Sequence, residues 1–248
     1  MHIICEKQPL SEAVANVSRA VSGKNTLAAL EGILLQAKNG RLSLTGYDLE
    51  LAITTSIEAK VLDEGEIVLS ARLFLDMIRR MQSETVNISS DEKMLTVIKG
   101  GATEYTILGI PASDYPELPS VSQTVPVQMS QGVLKNMIGQ TLFAVATTDG
   151  KPVHTGSLFE IKDGQLNVVS VDGYRLALRK EKIAFDGEIT FIVPAKSLSE
   201  VSKLIKDEDE QVSLEVARRH IIFQAGGYSV ISRLLEGEFL DYKAAIPS

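Results

Sequence analysis

Residues 30–53 read LEGILLQAKNGRLSLTGYDLELAI, and residues 154–178 read HTGSLFEIKDGQLNVVSVDGYRLAL. The second stretch repeats the first. Gly32 meets Gly156, Leu34 meets Leu158, Lys38 meets Lys162, Gly40 meets Gly164, Leu42 meets Leu166 and Asp48 meets Asp172, each pair 124 positions apart. A spacing that holds over this many positions marks an internal duplication. It continues upstream, where Leu10 meets Leu134, Val14 meets Ile138, and Ala20-Val21 meets Ala144-Val145. Downstream, IVLSARLFLDMIRRM from Ile67 meets FIVPAKSLSEVSKLI from Phe191, so that Arg72 faces Lys196 and Arg79 faces Lys203. Near the ends the spacing grows: Gly100-Gly101 meets Gly226-Gly227 at 126, and Asp114-Tyr115 meets Asp241-Tyr242 at 127. Small insertions in surface turns account for the drift. The chain therefore reads as two copies of one domain, 1–122 and 123–248, with the polar stretch SVSQTVPVQ at 120–128 as the linker.

Within one copy, Leu10, Ala13, Val14, Val17 and Val21 recur on one helical face. GILLQAK, RLSLTGY and ELAITTSI follow as strands, and Asn39-Gly40 is a hairpin turn between the first two. A second helix is expected after Ser70 as N-cap, with Phe74, Met77, Ile78 and Met81 inward, and then TVNISS, MLTVIKG and EYTILGI as strands. Each copy thus reads β-α-βββ twice, an α+β layering of antiparallel sheet on helices. The second copy places its helices near 130–145 and 195–206.

The composition bounds the function. The chain has 248 residues, is 44% hydrophobic and carries a net charge of −7, an ordinary globular balance that argues against a surface coated with DNA-binding cations. It has one cysteine, Cys5, expected in the core, and no signal peptide or membrane span, so a cytoplasmic protein is expected. Basic residues nevertheless recur opposite the apolar helical faces: Arg19, with Lys24 in the next loop; Arg72, Arg79 and Arg80; Lys135, with Lys151 in the loop beyond; Lys196, Lys203 and Lys206. Arg72/Arg79 and Lys196/Lys203 are stripes at i, i+7. One stripe alone reads as a solvated face. Their repetition points to a shared surface for a phosphate backbone, bound loosely and without sequence preference. His2, His154 and His220 lack metal-ligand spacing, and no phosphate loop or nucleophile elbow occurs. No catalytic residue, metal or cofactor is expected. Asp48 and Asp172 are expected to cap turns. A nucleic-acid-processing enzyme and a plain interaction scaffold stay open as alternatives at this level.

The run AVSGKNTLAALEGILLQAKNGRLSLTGYDLELA at 20–52 resembles the first domain of the bacterial sliding clamp, the beta subunit of DNA polymerase III. VVSVDGYRLAL at 168–178 and SRLLEGEFLDYKAAIP at 232–247 resemble its second domain. The resemblance implies the DNA clamp fold and a non-catalytic processivity factor. The family's subunit has three such domains and closes head to tail as a homodimer. Its helices line a hole around duplex DNA and its sheets form the outer wall. It also implies DNA-lining roles for Lys24, Arg72, Thr148, Lys151, Pro152, Val153 and Lys196, joined by Arg79, Arg80 and Lys203 from the charge pattern. Pro152 and Val153 replace aromatic residues seen in some members. A hydrophobic cleft for short motifs of the polymerase III alpha subunit, the clamp loader and other partners is expected around His154, Val171, Gly173, Tyr174, Arg175, Leu176 and Leu240. His154 stands for an aliphatic residue, and Ala244 and Ala245 for larger ones. Tyr105 and Ile107 match the first-domain side of the ring interface. Because the sequence given stops at Ser248, where a third domain would begin, a shortened, monomeric form with half of the cleft is expected.

Overall fold

The fold was taken from a computed structural model, which describes residues 1–248 except 24–25, 149, 206–209 and 247–248. It divides into two compact units, Met1–Pro119 and Ser120–Ser248.

Unit 1 runs β1 (His2–Glu6), α1 (Lys7–Val17), β2 (Gly32–Lys38), β3 (Arg41–Tyr47), β4 (Leu51–Glu58), β5 (Lys60–Asp63), β6 (Gly65–Ser70), α2 (Ala71–Arg80), β7 (Thr85–Ser90), β8 (Leu95–Gly100) and β9 (Thr103–Leu108). One antiparallel sheet has the order β5-β1-β7-β8-β9 and the other β4-β3-β2-β6. The two helices pack on each other, α1 against β3 and β4, and α2 against β2 and β6. Unit 2 repeats the plan with β10 (Val125–Ser130), α3 (Gln131–Thr141), β11 (Gly156–Lys162), β12 (Gln165–Val171), β13 (Leu176–Lys182), β14 (Ile189–Pro194), α4 (Ala195–Leu204), β15 (Gln211–Val216), β16 (His220–Ala225), β17 (Tyr228–Arg233) and the single turn α5 (Tyr242–Ala245). Its sheets are β10-β15-β16-β17 and β13-β12-β11-β14.

The periodicities explain these elements. Leu10, Ala13, Val14 and Val17 are buried along α1, as are Leu134, Met137, Ile138 and Thr141 along α3. The hairpin between β2 and β3 turns at Asn39-Gly40 with φ of 51° and 72°, and that between β11 and β12 at Asp163-Gly164 with 51° and 71°. Positive φ at both central residues gives a turn whose twist matches its strands, and an Asn or Asp followed by Gly accepts it best.

Four expectations are corrected. Val21 lies beyond the first helix, because Ser18 Oγ bonds back to Val14 O at 2.6 Å and the chain tightens into a 3-10 turn over Ser18–Ala20. Ser70 occupies the N-cap of α2, but its side chain makes no capping bond; β6 runs directly into the helix there, with Ser70 still paired to Gly32. The expected linker is a strand from Val125 onward, because Val127 and Met129 alternate into the core at 1% and 5% exposure. Strand β5 is an addition with no counterpart in unit 2; it is mostly exposed and pairs with β1.

Cys5 is buried in β1, where burial, helped by Glu6, pushes its thiol up to about 12. Among the described residues no helix is long and apolar enough to cross a membrane. Gly139 sits exposed in α3, and among the described residues nothing beyond its chain neighbours and its own helix backbone comes within 4 Å of where a Cβ would stand. The other copy carries Ala15 at the same place in the repeat. Gly139→Ala should therefore stabilise unit 2 by about 0.5–1 kcal/mol, read as a raised urea midpoint at unchanged slope.

Candidate functional site

Helix α2 buries Ala71, Phe74 and Ile78, which leaves Arg72, Arg79 and Arg80 exposed. Helix α4 buries Ser197, Leu198 and Val201, which leaves Lys196 and Lys203 exposed. Both i, i+7 pairs therefore face solvent, each on its own unit. Lys203 Nζ is held by Glu200 Oε1 at 2.7 Å, so its charge is partly neutralised. Lys24 and Lys206 lie outside the described residues. In the loop after α3, Thr148, Lys151 and Pro152 are exposed. Val153 does not join them. It is 8% exposed and packs with Leu158, Val169, Ile192 and Tyr242, so its expected outward, DNA-lining position is corrected to a core one.

The residues expected at the cleft gather on unit 2, around the start of β13 and the segment that follows β17. Asp172 organises the turn between β12 and β13. Its Oδ1 accepts from Tyr174 N at 3.0 Å and Arg175 N at 3.1 Å, and its Oδ2 accepts from Arg175 Nε at 2.9 Å. The backbone donation from Tyr174, aided by Arg175, holds the Asp172 carboxyl below its ordinary range. Asp48 makes the same turn in unit 1, accepting from Glu50 N and Leu51 N at 3.1 and 2.8 Å. Gly173 takes φ 91°, which favours glycine. Tyr174 is left 98% exposed, and the Arg175 guanidinium lies 5.7 Å from the ring centre of Phe143.

Below this turn Val171 is buried and Leu176 half-buried. Leu176, Leu178, Leu235 and Phe239 pack onto the cluster that holds Val153. His154 is buried edge-on against Phe239, with ring centres 5.1 Å apart. Burial, with Lys151 nearby, lowers its pKa and favours the neutral ring. Leu240 remains 41% exposed. A buried apolar cluster thus lies beside an exposed leucine, arginine and tyrosine, a chemistry that suits a short apolar peptide segment.

Periodicity alone points to neither Phe143 nor Phe239. Phe143 lies in the 3-10 turn Leu142–Ala144 that follows α3 and is 60% exposed. In unit 1, Tyr105 and Ile107 share a face of β9, at the edge of its sheet; Ile107 is only 7% exposed, whereas Leu108 on the opposite face is 68% exposed. Among the described residues no group of three or more His, Cys, Asp or Glu side chains is placed to hold a metal ion.

Comparison with known proteins bears on both units. The family described as DNA polymerase III beta subunit, N-terminal domain, matches residues 1–119, and its central-domain counterpart matches 128–241. The beta sliding clamp of Bacillus subtilis is 34% identical over 257 aligned residues, covering 100% of this chain and 68% of that protein. That of Staphylococcus epidermidis is 37% identical, covering 92% and 63%. The chain thus spans about two thirds of the length of these curated relatives. Among solved structures, the B. subtilis sliding clamp superposes with a TM-score of 0.97 at 33% identity over 100% of this chain and 68% of that one. A sliding clamp from Pseudomonas aeruginosa bound to griselimycin gives 0.93 at 28% identity, covering 100% and 68%.

Proposed function

The chain belongs to the DNA polymerase III beta subunit family of sliding clamps, and from that premise we propose that it acts as part of a DNA replication processivity factor. In this reading it is a non-catalytic, cytoplasmic accessory protein. It encircles duplex DNA as part of a head-to-tail ring and tethers polymerase III and other partners through a peptide trough around Leu176 and Leu240 on unit 2. The observation that carries the reading is that two consecutive family domains coincide with two units whose second helices each expose a basic i, i+7 pair.

The chemistry supports it. Long, flexible cations spread along a helix neutralise phosphates without fixing a register, which lets a ring slide. Arg72, Arg79, Arg80, Lys196 and Lys203 are the proposed helix contacts, with Lys24, Thr148, Lys151 and Pro152 from loops. Strand β9 remains the proposed ring-interface strand through Tyr105, whereas Ile107, expected beside it, is buried at 7% exposure and is corrected to a core position like Val153. The trough is proposed to take apolar partner motifs against Leu176 and Leu240, with His154 and Val171 behind and Gly173, Tyr174 and Arg175 at the rim. Griselimycin, the ligand of the P. aeruginosa relative, is proposed to bind there too.

A salt titration tests the DNA surface. Fluorescence anisotropy with a labelled 30-base-pair duplex, begun at low salt, should give weak affinity that is indifferent to sequence. In the triple variant Arg72→Ala, Arg79→Ala, Lys196→Ala the slope of log K against log salt should flatten by up to about 2.7, at about 0.9 for each phosphate that is no longer neutralised. An unchanged slope would remove these helices from the DNA surface.

A further inference from the structure

The two copies of the repeat diverge beneath their closing tyrosines. Tyr115 and Tyr242 are equivalent, and both are buried. In unit 1 the Tyr115 hydroxyl donates to a backbone oxygen, Thr45 O, at 3.2 Å, while Gln36 turns away to Glu66 at 3.0 Å. In unit 2 the position of Gln36 is taken by Glu160, and that of Ser43 by Asn167. There the Tyr242 hydroxyl donates to Glu160 Oε2 at 2.5 Å, and Asn167 Nδ2 donates to the same oxygen at 2.9 Å. Lys243 Nζ reaches Glu160 Oε1 at 2.9 Å. Three donors from two different segments thus converge on one carboxylate.

These donors tie down a strap. The chain after β17 crosses the sheet face opposite the helices, where Leu235, Phe239 and Tyr242 meet Leu158, Ile192 and Val153. A solvent-open groove of about 320 Å³ runs beside the strap, lined among others by Leu158, Glu160, Ile192, Leu235, Phe239 and Leu240. On that side the strap is not enclosed by packing, so the polar tether helps to decide where it lies. Leu240 is two residues from Tyr242. Between them Asp241 Oδ1 accepts from Lys243 N at 3.1 Å and Ala244 N at 3.4 Å, which makes the link short and stiff.

We infer that Glu160 is a positioning residue: by anchoring Tyr242 and Lys243 it fixes the strap that holds Leu240 as one wall of the peptide trough. The inference rests on the trough reading given above. The groups around the carboxylate are Lys243 and Asp241 from the strap, Asn167 from β12, Thr190 paired beside it on β14, and Lys180 beyond Asn167 on β13. Burial opposes ionisation of Glu160, but the bonds from Tyr242, Asn167 and Lys243 outweigh it and hold the carboxyl down at about 2. A depressed carboxyl contributes its anchoring fully above the ordinary value near 4.5 and loses it as pH falls toward 2.

The test uses the whole chain with Glu160→Ala and Glu160→Gln, and three readouts: amide exchange of residues 238–245, the Leu240 methyl resonances, and griselimycin titration. In Glu160→Ala, strap exchange should rise and griselimycin affinity should fall, each by about tenfold, as expected for removal of a charge-assisted hydrogen bond. Amide exchange in unit 1 should not change. Acidifying the unsubstituted protein from pH 4.5 toward 2 should shift the Leu240 methyls, and Glu160→Gln should lack that step. Unchanged strap exchange and Leu240 shifts in Glu160→Ala overturn the inference. So does a loosened strap with unchanged griselimycin affinity. If the strap loosens in the variant but griselimycin fails to bind the unsubstituted protein, the anchor stands and the trough reading falls.

Discussion

Phe159→Ala should cost about 3–5 kcal/mol, the range for deleting a fully buried aromatic side chain that leaves a cavity behind. Phe159 sits in the middle of β11 with 0% exposure. It pairs with Val168 on one side and Phe191 on the other, and its ring stacks on Phe191 at 5.3 Å with 20° between the planes. Its neighbours are strand residues held by ladder hydrogen bonds on both sides, so the sheet cannot collapse into the space. The cost should therefore approach the upper part of the range. Urea unfolding gives the magnitude, and amide exchange gives the location: protection should fall across β11 to β14 while β2 and β3 keep theirs. A cost below about 1 kcal/mol would mean that the site relaxes freely and that this packing account is wrong.

The same strand shows what sequence alone conveys. The constant spacing of 124 between Gly32-to-Asp48 and Gly156-to-Asp172 sets the order of elements, because equivalent residues must perform equivalent local tasks. The Asn-Gly and Asp-Gly turns and the two capping aspartates follow from local chemistry and are legible directly. What escapes is decided by partners far along the chain. Strand β5 has little apolar alternation and exists because β1 offers it an edge. Val125–Gln128 looks like linker until its pairing with β15 buries Val127. Val153 sits in a loop that reads as exposed, yet Gly237, more than eighty residues on, approaches so closely that a Cβ there would stand 2.7 Å from Val153 Cγ1. The Glu160 anchor is invisible for the same reason: Tyr242 is 82 residues away and carries no local signature of its role.

A second glycine tests how far the two copies are interchangeable. Gly46 in β3 lies under the last residue of α1, and a Cβ built on it would stand 2.1 Å from Val17 O and 2.9 Å from Val17 C. Both are backbone atoms, so no side-chain rotation can relieve the clash. Helix α1 is also pinned from within, since Leu10, Ala13, Val14 and Val17 are all essentially buried. Gly46→Ala should thus destabilise unit 1 by about 3 kcal/mol, the high end of overpacking costs, because the helix must lift off β3 and β4 or the strand must bow. The equivalent residue in unit 2 is Ser170, which is fully buried and shares a 2.7 Å hydrogen bond with Ser157. That copy has made room for a side chain and filled it with a paired hydroxyl. Ser170→Gly in unit 2 should accordingly fail to mimic unit 1, because it leaves the buried Ser157 hydroxyl without its partner and opens a void. Both substitutions should lower the urea midpoint, Gly46→Ala through strain and Ser170→Gly through the missing bond and packing. If Gly46→Ala leaves the midpoint and the exchange protection of α1 unchanged, the approach of Val17 to Gly46 is looser than this geometry, and copy 1 could have carried a serine there as copy 2 does.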